Sequence, residues 1–224
     1  MNYLQKVLTV LFVIGFISIG AAHQSITESN FQEINSKAEQ GEADAQYKLA
    51  LMYKNGQGVP HDDEQAIQWY TKAAKQGHVD AQYKLALMYK HGQGVLLDFK
   101  RAIQWFTKAA EQGHVDAQFF SALMYKNGQG IPQDFKQAIH WYTKAAEQGD
   151  VDAQYNLALM YKNGQGVLQD YTIAYAWFNL AAFQGGELPR KNIDIILERM
   201  TPSQIEEGQK HFKELYDKIY NRDK

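Results

Sequence analysis

The sequence predicts an all-α protein, a right-handed α-solenoid of stacked antiparallel helix pairs, and three observations carry that prediction. A 36-residue block beginning Asp44-Ala45-Gln46-Tyr47 returns at Asp80, Asp116 and Asp152. A fixed period of this length marks units that bury their apolar faces only by stacking on one another. The first two copies are identical at 28 of 36 positions, so the period is no accident of composition. Each copy also holds two stretches free of Gly and Pro, rich in Ala, Lys and Gln and separated by Gly-Gln-Gly, which reads as helix, stop, helix.

At the N-terminus, Lys6 is the sole charge of the first 22 residues, 7–19 is almost wholly apolar, and Gly20-Ala21-Ala22 supplies small residues before His23. This is the layout of a signal peptide, 1–22, with cleavage expected after Ala22, because the apolar run is short for a bilayer span. An uncleaved N-terminal anchor is the alternative. Segment 23–43 carries a capping half-repeat helix: Phe31, Ile34, Ala38 and Gly41 stand one period before Ile67, Tyr70, Ala74 and Gly77.

The four repeats span 44–79, 80–115, 116–151 and 152–187. In the first, Asp44 to Lys54 forms helix A, and Gly56 is placed for the left-handed turn after a helix end. Asp62, Asp98, Asp134 and Asp170 then offer an acidic cap to helix B, which runs to about Gln76. Ala45, Leu49, Met52 and Tyr53 share one face of helix A, and Ala66, Trp69, Tyr70, Ala73 and Ala74 share one face of helix B. Small Ala50, Ala66, Ala73 and Ala74 let the backbones approach, and Trp69, Trp105, Trp141 and Trp177 are expected in the core. The remainder, 188–224, reads as C-terminal capping helices. Ile193 to Met200 is a short apolar helix, and Thr201-Pro202-Ser203-Gln204 is a capping box with proline at the first helical position. The last helix sets Ile205, Phe212, Leu215 and Ile219 on one stripe, opposite Glu206, Glu207, Lys210, Lys213 and Asp217, as a terminal cap with a wet outer face requires. A stripe that docks a partner is the alternative.

The pattern Ala-x-x-x-Leu-Ala-x-Met-Tyr-x-x-Gly-x-Gly-Val, an Asp, then Ala-x-x-Trp-[Tyr/Phe]-x-Lys-Ala-Ala-x-x-Gly resembles the Sel-1-like repeat family, relatives of the tetratricopeptide repeats, over about 31 to 187. Two departures stand out: Ala50, Ala86, Ala122 and Ala158 occupy a position where the family often has Gly, and Leu180 replaces the Lys of 72, 108 and 144.

By that resemblance helix A lines an inner, concave wall. Asp44, Tyr47, Leu51, Lys54 and Asn55 lie on the helix A face turned away from Leu49 and Tyr53. The candidate partner-binding residues are therefore Tyr47, Tyr83, Phe119 and Tyr155, beside Leu51, Leu87, Leu123 and Leu159, edged by Lys54, Lys90, Lys126 and Lys162. Aromatic and aliphatic anchors with a cationic rim suit an extended peptide or helix carrying acidic groups. The alternative is that the aromatic row packs between units while the lysines are solvated. His78, His91 and His114 read as exposed polar residues, a repeat apart and too distant to share a metal.

The sequence holds no Gly-x-Ser-x-Gly, Ser-x-x-Lys, His-Glu-x-x-His or phosphate-binding Gly-x-x-x-x-Gly-Lys, so no catalytic residue, metal or cofactor is assigned. Without cysteine, disulfides, thiol chemistry and cysteine-bound zinc are excluded. A net charge of -2 without a basic block argues against nucleic acid and anionic membrane as partners. The expectation is a non-enzymatic, exported bacterial scaffold or adaptor, monomeric, in the periplasm or else secreted or at the surface, binding a protein or peptide along its concave face, with no stable membrane insertion after cleavage. Two alternatives are a β-lactamase-like or penicillin-binding hydrolase, an activity linked to exported cysteine-rich relatives, and an architectural cell-envelope protein. This chain lacks the paired cysteines of those relatives.

Overall fold

Residues 28–221 are described by a computed structural model; the expected signal peptide and residues 23–27 lie outside the described residues. Every regular element among the described residues is an α-helix. The chain divides between Leu97 and Asp98 into two compact units. The first holds α1 (28–39), α2 (Ala43–Asn55), α3 (Asp63–Lys75) and α4 (Val79–His91). The second holds α5 (Phe99–Glu111), α6 (Val115–Asn127), α7 (Phe135–Glu147), α8 (Val151–Asn163), α9 (Tyr171–Phe183), α10 (Glu187–Leu197) and α11 (Pro202–Tyr220). Within each unit the helices stack in sequence order, α2 on α3 and α3 on α4, then α5 on α6 through to α9 on α10.

The caps explain why each repeat breaks where it does. Asp62, Asp98, Asp134 and Asp170 each accept a backbone N–H from the first turn of the following B helix. Gly56, Gly92, Gly128 and Gly164 take φ of 66° to 67°, and the next N–H reaches back to Met52, Met88, Met124 and Met160, closing each A helix in a Schellman turn. His78 and His114 are half-buried N-caps of α4 and α6, their Nδ1 accepting from Ala81 and Ala117 N–H, and Asp150 does the same for α8. The reading of these two histidines as exposed polar residues is thus corrected; His91 alone of the three is exposed.

The core follows the expected stripes: Leu49, Ala50, Ala66, Tyr70, Ala73 and their equivalents are almost wholly buried. Trp69, Trp141 and Trp177 are buried, whereas Trp105 is half-buried. Helix α10 starts at Glu187, well before the apolar run at Ile193, because Pro189 falls in the first turn where a missing N–H is harmless. The capping box at Thr201 and Gln204 opens α11. That helix lies on α9, with Gly208 buried so close to Tyr175 that a Cβ would stand 2.9 Å from its ring. The Ile205 stripe is half-buried and its charged opposite face exposed, in keeping with a cap.

A row of buried glutamines ties the helix pairs together. Gln46, Gln82, Gln118 and Gln154 each donate Nε2 to the carbonyl eight residues earlier, at Ala38, Ala74, Ala110 and Ala146, all at 3.1 Å. Gln76, Gln148 and Gln184, just past the ends of B helices, add Nε2 donations to the side-chain oxygens of Gln46, Gln118 and Gln154 and to the carbonyls of Gly41, Gly113 and Gly149. The chain end joins this row: the Tyr220 hydroxyl accepts from Gln184 at 2.7 Å and from Gln154 at 3.3 Å.

One core position breaks the pattern. Ser121 stands where the other copies have Leu49, Leu85 and Leu157, and its Oγ is buried without a hydrogen-bond partner. Its neighbour Phe120, at the position of Lys48 and Lys84, stacks on Phe106 at 5.2 Å. Removing a buried, unsatisfied hydroxyl in a helix stabilises, so Ser121→Ala is expected to raise the urea midpoint, equivalent to about 1 kcal/mol. A lower midpoint would show that the hydroxyl is satisfied in solution.

Candidate binding face

One face of each A helix carries a row at i, i+4 and i+7, which places Tyr47, Leu51 and Lys54 together on α2, and Tyr83, Leu87 and Lys90 together on α4. In the second unit the same rows are Phe119, Leu123 and Lys126 on α6, and Tyr155, Leu159 and Lys162 on α8. All twelve side chains are half-buried, so each is divided between packing and solvent.

The aromatic member of the rows on α2, α6 and α8 leans on helix B of its own repeat. Tyr47 meets Tyr70, Phe119 meets Tyr142 and Tyr155 meets Phe178, each at 5.8 Å between ring centroids and tilted by 49° to 56°. These half-buried rings are fixed against a neighbouring helix, a geometry with little rotamer entropy left to lose on binding. Burial pushes the Tyr47 hydroxyl above its ordinary range, and the Tyr142 hydroxyl beneath Phe119 much further. Neither ionises at neutral pH.

The lysines are not a loose cationic rim. Lys54 donates to Asp63 at 2.9 Å and to Gln93 at 3.1 Å. Lys126 donates to Asn156 on α8 and Lys162 to Asn192 on α10. Burial lowers the affinity of Lys90 and Lys126 for their protons. What remains exposed at the other end of each row is acidic: Asp44, Asp80, Asp116 and Asp152 sit in the first turns of α2, α4, α6 and α8.

Two cavities open on these faces. In the first unit a cavity of about 570 Å³ runs between α1, α2 and the first linker, with Ile34, Leu51 and Met52 as its apolar floor. In the second, a slot of about 220 Å³ lies between the N-terminal turns of α8 and α10. Among the described residues no cluster of His, Asp and Glu is arranged to hold a metal ion, and no helix is long and apolar enough to cross a membrane.

Comparison with known proteins bears on the whole of this framework. The Sel1 repeat model matches residues 43–78, 79–114, 115–150 and 151–186. A protective antigen present in uropathogenic Escherichia coli strains, displaying an SLR fold, superposes with a TM-score of 0.72 at 34% identity, covering 85% of this chain and 40% of its own. A Sel1 repeat protein from Oxalobacter formigenes superposes with a TM-score of 0.68 at 38% identity, covering 76% of this chain and 50% of its own. The chain thus spans half or less of the length of these two structures. No curated protein sequence matches it significantly.

Proposed function

This chain belongs to the Sel1 repeat family, whose members are generally protein-interaction scaffolds, and from that premise we propose that it is a non-enzymatic, exported adaptor that grips a protein or peptide along its A-helix faces. One observation carries the reading: the row of a half-buried aromatic, leucine and lysine recurs on α2, α4, α6 and α8, with the aromatic leaning on a helix B ring and the lysine tethered on α2, α6 and α8. Half-buried aromatic rings fixed against a neighbouring helix bind at small entropic cost, which is what a recognition surface needs. Export rests on the apolar run 7–19 followed by Gly20-Ala21-Ala22.

The test is site-specific photocrosslinking in living cells. A photoreactive residue at Leu123 or Leu159 is expected to give discrete protein adducts, while the same residue at exposed Gln104 or Lys144 on B helices gives none. Adducts from the B-helix positions alone overturn the assignment of the face. Mass spectrometry of the same material is expected to find a chain beginning at His23 in the envelope fraction; an intact chain confined to the cytoplasm removes export.

A further inference from the structure

The repeats contain their own template for a ligand. In the first repeat, the imidazole of His78 stacks on Tyr47 with ring centroids 4.4 Å apart and planes 25° from parallel. Its Nδ1 accepts the Ala81 N–H, so Nε2 carries the proton, and Nε2 stands 3.6 Å from Oδ1 of Asp44. A planar, nitrogen-bearing group thus lies on the aromatic row and faces the acid of the first helical turn.

In the fourth repeat the stage is the same and the actor is missing. Tyr155 sits on Phe178 at 5.8 Å and 53°, as Tyr47 sits on Tyr70 at 5.8 Å and 49°. Asp152 holds the place of Asp44. The residue one period on from the histidine position, 31 after the tyrosine, is Gly186, which has no side chain. Nor does the backbone leave room for one there, since a Cβ on Gly186 would stand 2.8 Å from Pro189 Cγ. The vacated space is the 220 Å³ slot, lined by Val151, Tyr155, Leu188 and Pro189 and edged by Asp152 and Glu187. Neither carboxylate has an ion-pair partner among the described residues, and no lining residue is basic.

We propose that this slot receives an arginine side chain of the partner, its guanidinium stacked on Tyr155 and paired with Asp152 and Glu187. Guanidinium is the planar cation among side chains that combines stacking on an aromatic face with hydrogen bonds to carboxylates. Asn192 holds the Tyr155 hydroxyl at 3.4 Å and so fixes the ring against which it lies. The proposal rests on the reading that the A-helix face binds protein and adds the chemistry of one contact, a basic residue where the sequence had pointed to an acidic partner.

The probe is acetyl-arginine-amide, titrated into the isotope-labelled full chain and followed by amide NMR. Saturable shifts confined to residues around Tyr155, Gly186 and Leu188 are expected. Acetyl-citrulline-amide, of the same shape but uncharged, is expected to bind about tenfold more weakly, as is arginine to the Asp152→Asn, Glu187→Gln double variant. Both residues are exposed, so the double variant keeps the wild-type melting temperature. Absence of saturable shifts, equal binding of citrulline, or arginine binding indifferent to the double variant overturns the proposal. Because the probe needs no partner, such a failure leaves the crosslinking outcome at Leu123 and Leu159 standing by itself.

Discussion

Gly130→Ala will lower the stability of the second unit by about 3 kcal/mol, a loss far beyond the cost of the backbone conformation alone. Gly130 has φ of 77°, and a Cβ built there would stand 2.4 Å from the carbonyl carbon of Phe99 and 2.6 Å from the amide nitrogen of Lys100. The left-handed conformation accounts for about 1 kcal/mol of the loss. The remainder comes from forcing the linker away from the start of α5, since backbone cannot move aside as a flexible side-chain tip can. Gly113 is the control. Its φ is 93° and nothing stands within 4 Å of its would-be Cβ, so Gly113→Ala is expected to cost only the conformational part, about 1 kcal/mol. Urea unfolding followed by circular dichroism compares the two; equal midpoints would show that the linker's close approach to α5 carries no weight.

Gln118→Leu is expected to cost about 1 to 2 kcal/mol although it makes a buried side chain more apolar. The substitution fits the volume but takes from the Ala110 carbonyl its side-chain donor, leaving it the Gly113 N–H, and takes away the 2.7 Å acceptor of Gln148 Nε2. A buried polar group that loses one of its hydrogen bonds gets no water in exchange, and that penalty exceeds the gain from burying a leucine in place of an amide. Ala110 is almost wholly buried, so water has no route to its carbonyl. The measurement is the unfolding midpoint of Gln118→Leu against Gln104→Leu, an exposed glutamine on α5 whose replacement is expected to be near neutral. A Gln118→Leu protein as stable as the wild type would mean that the amide row is ornamental.

Much of this was legible in the residues, and what was not has a common cause. The caps at Asp62 and its equivalents and the left-handed Gly56 series are local, so spacing alone located them. The crowding at Gly94, Gly130 and Gly166 leaves no local trace, because the neighbour is the first turn of the preceding B helix, 31 residues upstream of Gly130. The glutamine row escaped for a similar reason: a glutamine inside a helix reads as a neutral helix former, and its bonding partners lie 8 and 30 residues away. Its signal was available in the exact return of Gln46 and Gln76 in every copy. The candidate rows followed from helical periodicity, but the fate of the lysines did not, since Lys126 and Lys162 are engaged by amides on α8 and α10. His78 and His114 occupy the position before helix A that Asp150 fills in the last repeat, and imidazole Nδ1 caps as a carboxylate does.

The amide row also bears on how such a chain can change its length over generations. Its bonds link residues 8, 30 or 35 apart; the first interval recurs in all four copies and the other two in the first, third and fourth. Excising residues 116–151 would bring Gln154 into the place of Gln118, with a donor and an acceptor again at every junction. Unequal recombination between near-identical copies can therefore delete or duplicate a whole unit without orphaning an amide, whereas an insertion of any other size throws the pairing out of step.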